Sequence, residues 1–306
     1  MISAREIKVK IRSINNTKQI TKAMEMVSAS KMRKSQQVAL NSRPYCEKAL
    51  EMLGELSAHT DARLHPLLKK AEGKTALLVI TSDKGLCGGL NSNVLKKAYK
   101  LAKEKEADVI VVGKRARDFF SRRNFNIAAE FFGIGDTVKT EEVSPIAEFL
   151  INNYGQGKYG SISAVYTNFL STLKQEAVVR QVLPVSIEGV KEIVSGIVPE
   201  RGRFAGAGIL KQKEEVYPYS YEYIYEPSPQ VVLDRLLKEL LHVQVYHMIL
   251  ESNASEHSAR MMAMKNATES AQKLIDELTL TFNNVRQAAI TRELSEITAG
   301  AEALQQ

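Results

Sequence analysis

The feature that most constrains this fold is a stretch near the C-terminus that contains neither glycine nor proline. It covers residues 230–299. Ser228 and Pro229, just before it, are typical of a helix N-cap and first helical position, and Gly300 predicts its end. Such a helix would be about 105 Å long, which is far longer than the helices of ordinary globular domains.

Mostly apolar side chains recur along this stretch at alternating steps of four and three residues. That spacing is the heptad repeat of a coiled coil, and it predicts a left-handed supercoil with a partner helix. Two histidines fall on this seam, where we expect interhelical hydrogen bonds rather than catalysis. The seam positions are Leu236, Leu240, Val243, His247, Leu250, Ala254, His257, Met261, Met264, Thr268, Ala271, Ile275, Leu278, Phe282, Val285 and Ala289.

The N-terminal segment supplies the only other long helix pattern. It has no glycine before Gly54, and its one proline, Pro44, should bend the helix or end it. We therefore expect an N-terminal coiled-coil helix over 1–56 and a C-terminal one over 228–306, wound around each other antiparallel. The longer helix should extend past the shorter by roughly 45 Å.

The first 40 residues are strongly basic. They contain nine Lys and Arg against two Glu, so their charge of +7 equals the formal net charge of the whole chain. A solvated helix face explains this pattern, and so does a surface that faces an acidic partner. The basic side chains are Arg5, Lys8, Lys10, Arg12, Lys18, Lys22, Lys31, Arg33 and Lys34.

The central segment, 74–227, has a different period. Short β-branched runs such as TALLVITS, ADVIVVG and SISAVYTNF alternate with amphipathic helix patterns such as SNVLKKAYKLAKEKEA. This alternation predicts an α/β domain with a small, largely parallel sheet and helices on its faces. One helix should start with Ser144 as cap and Pro145 at its first position. Residues 195–216 are rich in glycine and charged residues, which predicts an exposed loop.

The stretch TSDKGLCGGLN, residues 81–91, lies between a strand pattern and a helix pattern, as phosphate-binding loops do. Its glycines, Gly85, Gly88 and Gly89, lack the spacing of the dinucleotide motif, and no Gly-Lys-Ser/Thr of the P-loop follows. A tight turn in which glycine permits close backbone packing explains the same residues. An α/β nucleotide-binding enzyme that uses this loop is the alternative hypothesis for the chain.

Other chemical signals are weak. The five histidines show no metal-ligand spacing. Cys46 and Cys87 lie far apart, which favours structural thiols in a reducing compartment. The N-terminus has no signal-peptide core, and no stretch approaches the roughly 18 apolar residues of a membrane span. We expect no catalytic residue, metal or cofactor, and a protein that is soluble or attached to a membrane only through a partner.

Five stretches resemble the gamma subunits of rotary, proton-transporting F-type ATP synthases. They are NNTKQITKAMEMVSASKMRKSQ, TSDKGLCGGLN, YEYIYEPSP, SEHSARMMAMKNATESAQ and NNVRQAAITRELSEI, in the order found in that family and across nearly the whole chain. The resemblance implies an antiparallel coiled coil of the two termini plus a small Rossmann-like α/β domain. It also implies a central rotor shaft without catalytic sites, in which the glycine loop binds no nucleotide. Residues 195–216 depart from the family, being longer than in typical bacterial members.

The resemblance further implies partners: three alpha and three beta subunits, the epsilon subunit and the c-ring of the membrane sector, with no nucleic acid. The shaft would turn with the c-ring at the cytoplasmic face of a bacterial plasma membrane, as a peripheral protein held there only through that ring. The positions that match beta contacts, including one near an acidic segment of beta, are Met24, Lys22, Arg286, Gln287, Thr291 and Glu293. The positions that match the foot, where the shaft meets the c-ring and epsilon, are Tyr223, Tyr225 and Glu226.

Overall fold

The computed structural model describes residues 4–59, 65–135, 138–186, 190 and 225–303. Its first and last elements are the two long helices α1 and α5, with five strands and three shorter helices between them. The elements are α1 (Ala4–His59), β1 (Lys74–Ile80), α2 (Leu90–Glu104), β2 (Asp108–Val112), α3 (Lys114–Ser121), β3 (Ile127–Phe131), α4 (Thr140–Gly155), β4 (Tyr159–Phe169), β5 (Gln175–Leu183) and α5 (Pro229–Ala303). The predicted loop at 195–216 lies outside the described residues.

Contacts divide the chain into two compact units. Unit 1 comprises Met1–Val27 and Met261–Gln306, and unit 2 comprises Ser28–Arg260. Both long helices contribute to each unit, whereas the sheet and the three shorter helices belong to unit 2.

In unit 1, α1 and α5 run antiparallel and are joined by polar side chains. The Thr21 and Thr268 hydroxyl oxygens are 2.8 Å apart, and Lys18 Nζ donates to Gln272 Oε1. Because the partner on α5 moves backward as α1 advances, the pairing is antiparallel, as predicted. Thr268 also lies on the predicted heptad seam, so the seam prediction is confirmed at this position.

In unit 2 the same two helices also pack against each other. His247 Nε2 of α5 lies 3.0 Å from Ser42 Oγ and 3.4 Å from Cys46 Sγ, both on α1. Further along the chain, His65 Nε2 is 3.3 Å from Asp234 Oδ1. The expected interhelical hydrogen bonding of His247 is therefore confirmed. His257 lies against Arg260 of its own helix, with Nδ1 3.4 Å from an Arg260 guanidinium nitrogen.

The sheet has the strand order β3-β2-β1-β4-β5. Four strands are parallel, and β5 joins β4 antiparallel at one edge. The three central strands are almost continuously buried, which is what parallel strands covered on both faces require. One face packs against α2 and α3. The other face joins a larger apolar cluster with α1, α4 and α5.

Three helix boundaries differ from the sequence predictions. Pro44 does not end α1, which continues to His59. Past the proline, α1 buries Leu50, Leu53 and Leu56 in the core. Each buried leucine contributes roughly 1.5–3 kcal/mol, so together they offset the cost of about 3 kcal/mol for an interior proline.

The other two differences are smaller. The helix α4 begins at Thr140 rather than beside Ser144. The Glu142 side chain accepts the backbone N–H of Lys139 at 3.1 Å, and this capping contact stabilises a helix start one turn earlier. Pro145 is consequently inside the helix. The helix α5 starts at Pro229 as predicted, with Ser228 Oγ accepting from the Val231 N–H at 3.4 Å, and it passes Gly300 to end at Ala303.

Candidate functional site

The glycine loop after β1 is held by hydrogen bonds within the loop and to the first turn of α2. Asn91 Oδ1 accepts from the Ser82 N–H at 3.1 Å, and Asn91 Nδ2 donates to Ser82 Oγ at 2.7 Å and to Cys87 Sγ at 3.3 Å. Burial, reinforced by the nearby carboxylate of Glu256, raises the pKa of the Cys87 thiol. Cys87 is therefore a buried structural thiol rather than a nucleophile.

The long helix α5 also holds this loop. Arg260 donates to the carbonyl oxygen of Gly85 from Nε at 3.3 Å and from an Nη atom at 3.1 Å. The same guanidinium pairs with Glu256 at 2.5 Å. A Cβ at Gly85 would lie 2.7 Å from a guanidinium nitrogen of Arg115, so that the end of the arginine side chain would have to move. The glycine thus permits close packing of side chains against the loop, as the turn interpretation predicts.

The N-terminus of α3, the second place where such a fold offers N–H groups to a phosphate, is filled by the protein itself. Asp83 accepts the Lys114 N–H at 2.9 Å and the Gly133 N–H at 3.2 Å through its two carboxylate oxygens. Thr81 Oγ1 accepts the Ala116 N–H at 2.9 Å. A bound phosphate would have to displace these contacts and would face the negative charge of Asp83.

A cavity of about 250 Å³ opens beside the loop, at the carboxyl ends of β1, β2 and β3. Asp83 and Glu256 line it together with Lys84 and Asn253. The two carboxylates make it a poor site for nucleotide phosphates. Among the residues described, no group of three or more His, Cys, Asp and Glu side chains is arranged to hold a metal ion. No described helix is long and apolar enough to cross a membrane.

The residues expected to contact beta lie on the surface of unit 1. Lys22 is exposed and forms an ion pair at 3.1 Å with Glu25, while Met24 beside it is partly buried. On α5 the four predicted positions are all exposed, and Thr291 Oγ1 donates back to the Gln287 carbonyl at 3.0 Å. Those four are Arg286, Gln287, Thr291 and Glu293.

An exposed apolar face accompanies these polar residues, and the sequence analysis did not identify it. Ile290, Leu294 and Ile297 recur at steps of four and three, so they share one side of α5, and they are 47%, 59% and 67% exposed. We call these three residues the terminal apolar face. The heptad pattern could have revealed it, because apolar residues that continue past the end of a partner helix must face something else.

The basic stretch of α1 is mostly exposed. Of its nine Lys and Arg side chains, only Lys18 and Lys31 are partly buried. At the predicted foot, Glu226 is exposed, whereas Tyr225 packs partly buried against the core of unit 2. Tyr223 lies outside the described residues. Apart from Tyr223, the structure describes each predicted contact residue, the beta-contact positions in unit 1 and the foot positions in unit 2.

Comparison with known proteins identifies the class to which this fold belongs. A family model described as ATP synthase matches residues 3–304. The chain is 42% identical to the ATP synthase gamma chain of Pelotomaculum thermopropionicum, with 100% of both chains covered. It is also 42% identical to that of Chloroflexus aurantiacus, with 99% of each covered. The chain belongs to the ATP synthase gamma chain family, as the resemblance predicted.

Solved structures share the fold at lower sequence identity. A rotor chain of the Euglena gracilis mitochondrial ATP synthase matches with a TM-score of 0.60 at 17% identity, covering 94% of this chain and 98% of that one. A chain from the central stalk and c-ring of the Tetrahymena thermophila mitochondrial enzyme matches with a TM-score of 0.57 at 24% identity, covering 81% and 99%. The predicted fold class, long terminal helices with a mainly parallel central sheet, is thereby confirmed.

Proposed function

We propose that this chain is the central rotor shaft of an F-type ATP synthase. Ion flow turns the c-ring and the shaft together, and the turning shaft drives three catalytic sites on the alpha and beta subunits through binding, tight and release states. The single observation that carries this proposal is the full-length likeness to ATP synthase gamma chains at 42% identity. The chain itself performs no chemical step.

The terminal apolar face supports a surrounding partner. Ile290, Leu294 and Ile297 are exposed on a helix that no other described element of the chain covers there. An apolar side chain on a monomer surface favours burial against another protein. An apolar sleeve formed by the alpha and beta subunits would bury this face while still allowing α5 to turn.

The proposed polar contacts to beta rest on the family resemblance and are compatible with the charge of the chain. Most basic side chains of the first 40 residues, including Lys22, are exposed and suit an acidic segment of beta. On α5, Arg286, Gln287, Thr291 and Glu293 present hydrogen-bonding groups to a neighbouring subunit. Such contacts differ from one side of the shaft to the other, so each beta subunit meets a different surface at each angle. Rotation then shifts the population of beta conformations in sequence.

Tyr223, Tyr225 and Glu226 are proposed to form the foot that meets the c-ring and epsilon. Glu226 is exposed and available for such a contact, whereas Tyr225 packs partly buried against the core of unit 2. The chain is a peripheral subunit in this account. We place it at the cytoplasmic face of the bacterial plasma membrane, attached only through the ring.

The nucleotide-binding alternative is disfavoured by the loop geometry. The N–H groups at the start of α3 are already bound by Asp83 and Thr81, and the adjacent cavity carries the carboxylates of Asp83 and Glu256. Close packing against Arg115 and Arg260 accounts for the loop without a ligand.

The test is co-expression of this chain with alpha and beta subunits from the same source. The proposal expects a stable complex of three alpha, three beta and one gamma subunit whose ATP hydrolysis depends on this chain. Calorimetry on the chain alone should detect no binding of ATP. Failure to form the complex, together with ATP binding by the isolated chain, would overturn the proposal in favour of the nucleotide-binding alternative.

A further inference from the structure

A carboxyl group is completely enclosed where α5 packs on the edge of the sheet in unit 2. Glu251 lies on α5 and is 1% exposed. The groups facing it come from two adjacent strands, Tyr166 on β4 and Arg180 on β5. Arg180 is paired with Ala164 across the two strands, and Ala164 lies two residues from Tyr166. The Tyr166 and Arg180 side chains therefore project from the same face of the sheet, toward α5.

The enclosure leaves this carboxyl short of hydrogen-bond donors. Within the described part of the chain, neither carboxylate oxygen of Glu251 makes a hydrogen bond of good geometry. The Tyr166 hydroxyl lies close enough to act on the carboxyl as a donor, but the contact is not a well-formed hydrogen bond. An ionised carboxylate removed from water without donors is far less stable than its neutral acid. The packing around Glu251 is thus suited to the protonated form.

The surrounding charges do not reverse this preference. Arg180 is the one cation among the groups that act on Glu251. Two titratable side chains nearby on α5 have partners elsewhere: His247, one turn earlier, contacts Ser42 and Cys46 of α1, and Glu256 pairs with Arg260. Burial raises the pKa of the Glu251 carboxyl to about 8, against smaller lowering effects of Tyr166 and Arg180.

We propose that Glu251 is a buried proton-binding site that makes the packing of α5 on β4 and β5 depend on pH. The neutral carboxylic acid fits the enclosed site, and loss of its proton loosens the contact between helix and sheet. This function is separate from the proposed contacts of the shaft with its partners, since Glu251 and Tyr166 are fully buried in unit 2.

The direction of the pH dependence follows from the two states of the acid. In the unfolded chain the carboxyl has its ordinary pKa of 4.5, whereas in the folded chain the value is about 8. The stabilisation from the protonated site is fully present below pH 4.5 and declines as the pH rises through the folded value. Between the two values, the folding equilibrium constant falls by about tenfold for each pH unit because of this one group.

The experiment compares the full chain with Glu251→Gln, whose amide is close in shape to the neutral acid and cannot ionise. Urea unfolding followed by circular dichroism at pH 6 and at pH 8 gives the folding equilibrium constant of each protein. Between pH 6 and pH 8, the folding equilibrium constant of the wild type should fall by at least about tenfold relative to that of the variant. Glu104→Gln, at a carboxyl that is 55% exposed, is the matched control and should follow the wild type. Equal pH dependence of the wild type and Glu251→Gln overturns the proposal.

Infrared spectroscopy provides a second measurement that does not depend on Glu251→Gln folding. The wild type should show the carbonyl band of a protonated carboxylic acid at pH 6, and this band should disappear as the pH passes about 8. Because the Tyr166 phenol lowers the pKa of Glu251, Tyr166→Phe should move the loss of the band to higher pH. Absence of the band at pH 6, or a midpoint unchanged in Tyr166→Phe, contradicts a buried proton site at Glu251.

Discussion

Arg260 of the long helix α5 donates two hydrogen bonds to the backbone carbonyl oxygen of Gly85, at 3.3 and 3.1 Å. The two residues are 175 positions apart in the chain. Through this contact the glycine loop, which resembles a phosphate loop in sequence, is bound by a side chain of the same protein. The guanidinium also pairs with Glu256 and is only 8% exposed, so the contact is a buried structural link.

Replacing Arg260 by Ala should destabilise unit 2. The change leaves the Glu256 carboxylate without its cation and the Gly85 carbonyl without its donors, and hydrogen bonds to charged groups are worth about 1.5–3 kcal/mol. Urea unfolding of the full chain should show a loss in this range. Arg292→Ala, at an exposed position of α5, is the control and should change stability little. A similar small effect at both positions would mean that the Arg260 link is not important for folding.

Gly113→Ala should be more harmful than an ordinary glycine substitution. Gly113 has a φ of +93°, and a Cβ there would lie 2.1 Å from the carbonyl oxygen of Thr81. The backbone between β2 and α3 must therefore move, at a cost of more than about 3 kcal/mol. Gly133→Ala is the matched control, because its φ is +75° but nothing lies within 4 Å of the added carbon. It should cost only about 1 kcal/mol, and equal losses of thermal stability would contradict the steric explanation.

Met24→Lys should impair coupling between ATP hydrolysis and ion movement in the assembled enzyme. A new cation next to Lys22 would attract the proposed acidic segment of beta at one angle of the shaft, and this attraction must be broken at every step. The measurement is ions pumped per ATP hydrolysed in membranes. Met24→Gln adds polarity without charge and should remain well coupled. An unchanged ratio in Met24→Lys would argue against an acidic neighbour.

Arg286→Ala should alter activation of the enzyme more than it weakens torque transfer. A polar contact of this kind is worth about 1–3 kcal/mol, which is small beside the many contacts that hold a shaft in its sleeve. The variant should assemble with alpha and beta, and the temperature dependence of its ATP hydrolysis rate should differ from that of the wild type. Loss of assembly would show that Arg286 has a larger structural part than the proposed contact requires.

Much of the fold could be predicted from local patterns. The absence of glycine and proline over 230–299 and the heptad spacing predicted α5, and the alternation of strand and helix patterns predicted the sheet. These features depend on neighbouring residues only. Of the two effects expected of Pro44, a bend or an end, local propensity could not exclude the end. The burial of the leucines that follow it in α1 is a tertiary effect that outweighs the proline.

The long-range contacts could not be predicted in the same way. Nothing near Gly85 in the sequence indicates that Arg260 binds it, and nothing beside Glu251 indicates that Tyr166 and Arg180 enclose it. Glu251 follows the seam residue Leu250, and a charged side chain at a position next to the seam is typically solvated. Only the packing of α5 against the sheet buries it. The predicted beta and c-ring contacts depend on surfaces of other subunits, so the structure of one chain shows only how exposed the predicted contact residues are.

The most direct test of the rotor proposal is to watch the shaft turn. Both native cysteines are buried, so Lys105→Cys, at an exposed position after α2, gives one accessible thiol for a bead or fluorophore. In a complex of this chain with immobilised alpha and beta subunits, ATP should drive rotation of the probe in one direction with three preferred angles, one for each beta subunit. ATP hydrolysis by that complex with a stationary probe would contradict the central claim.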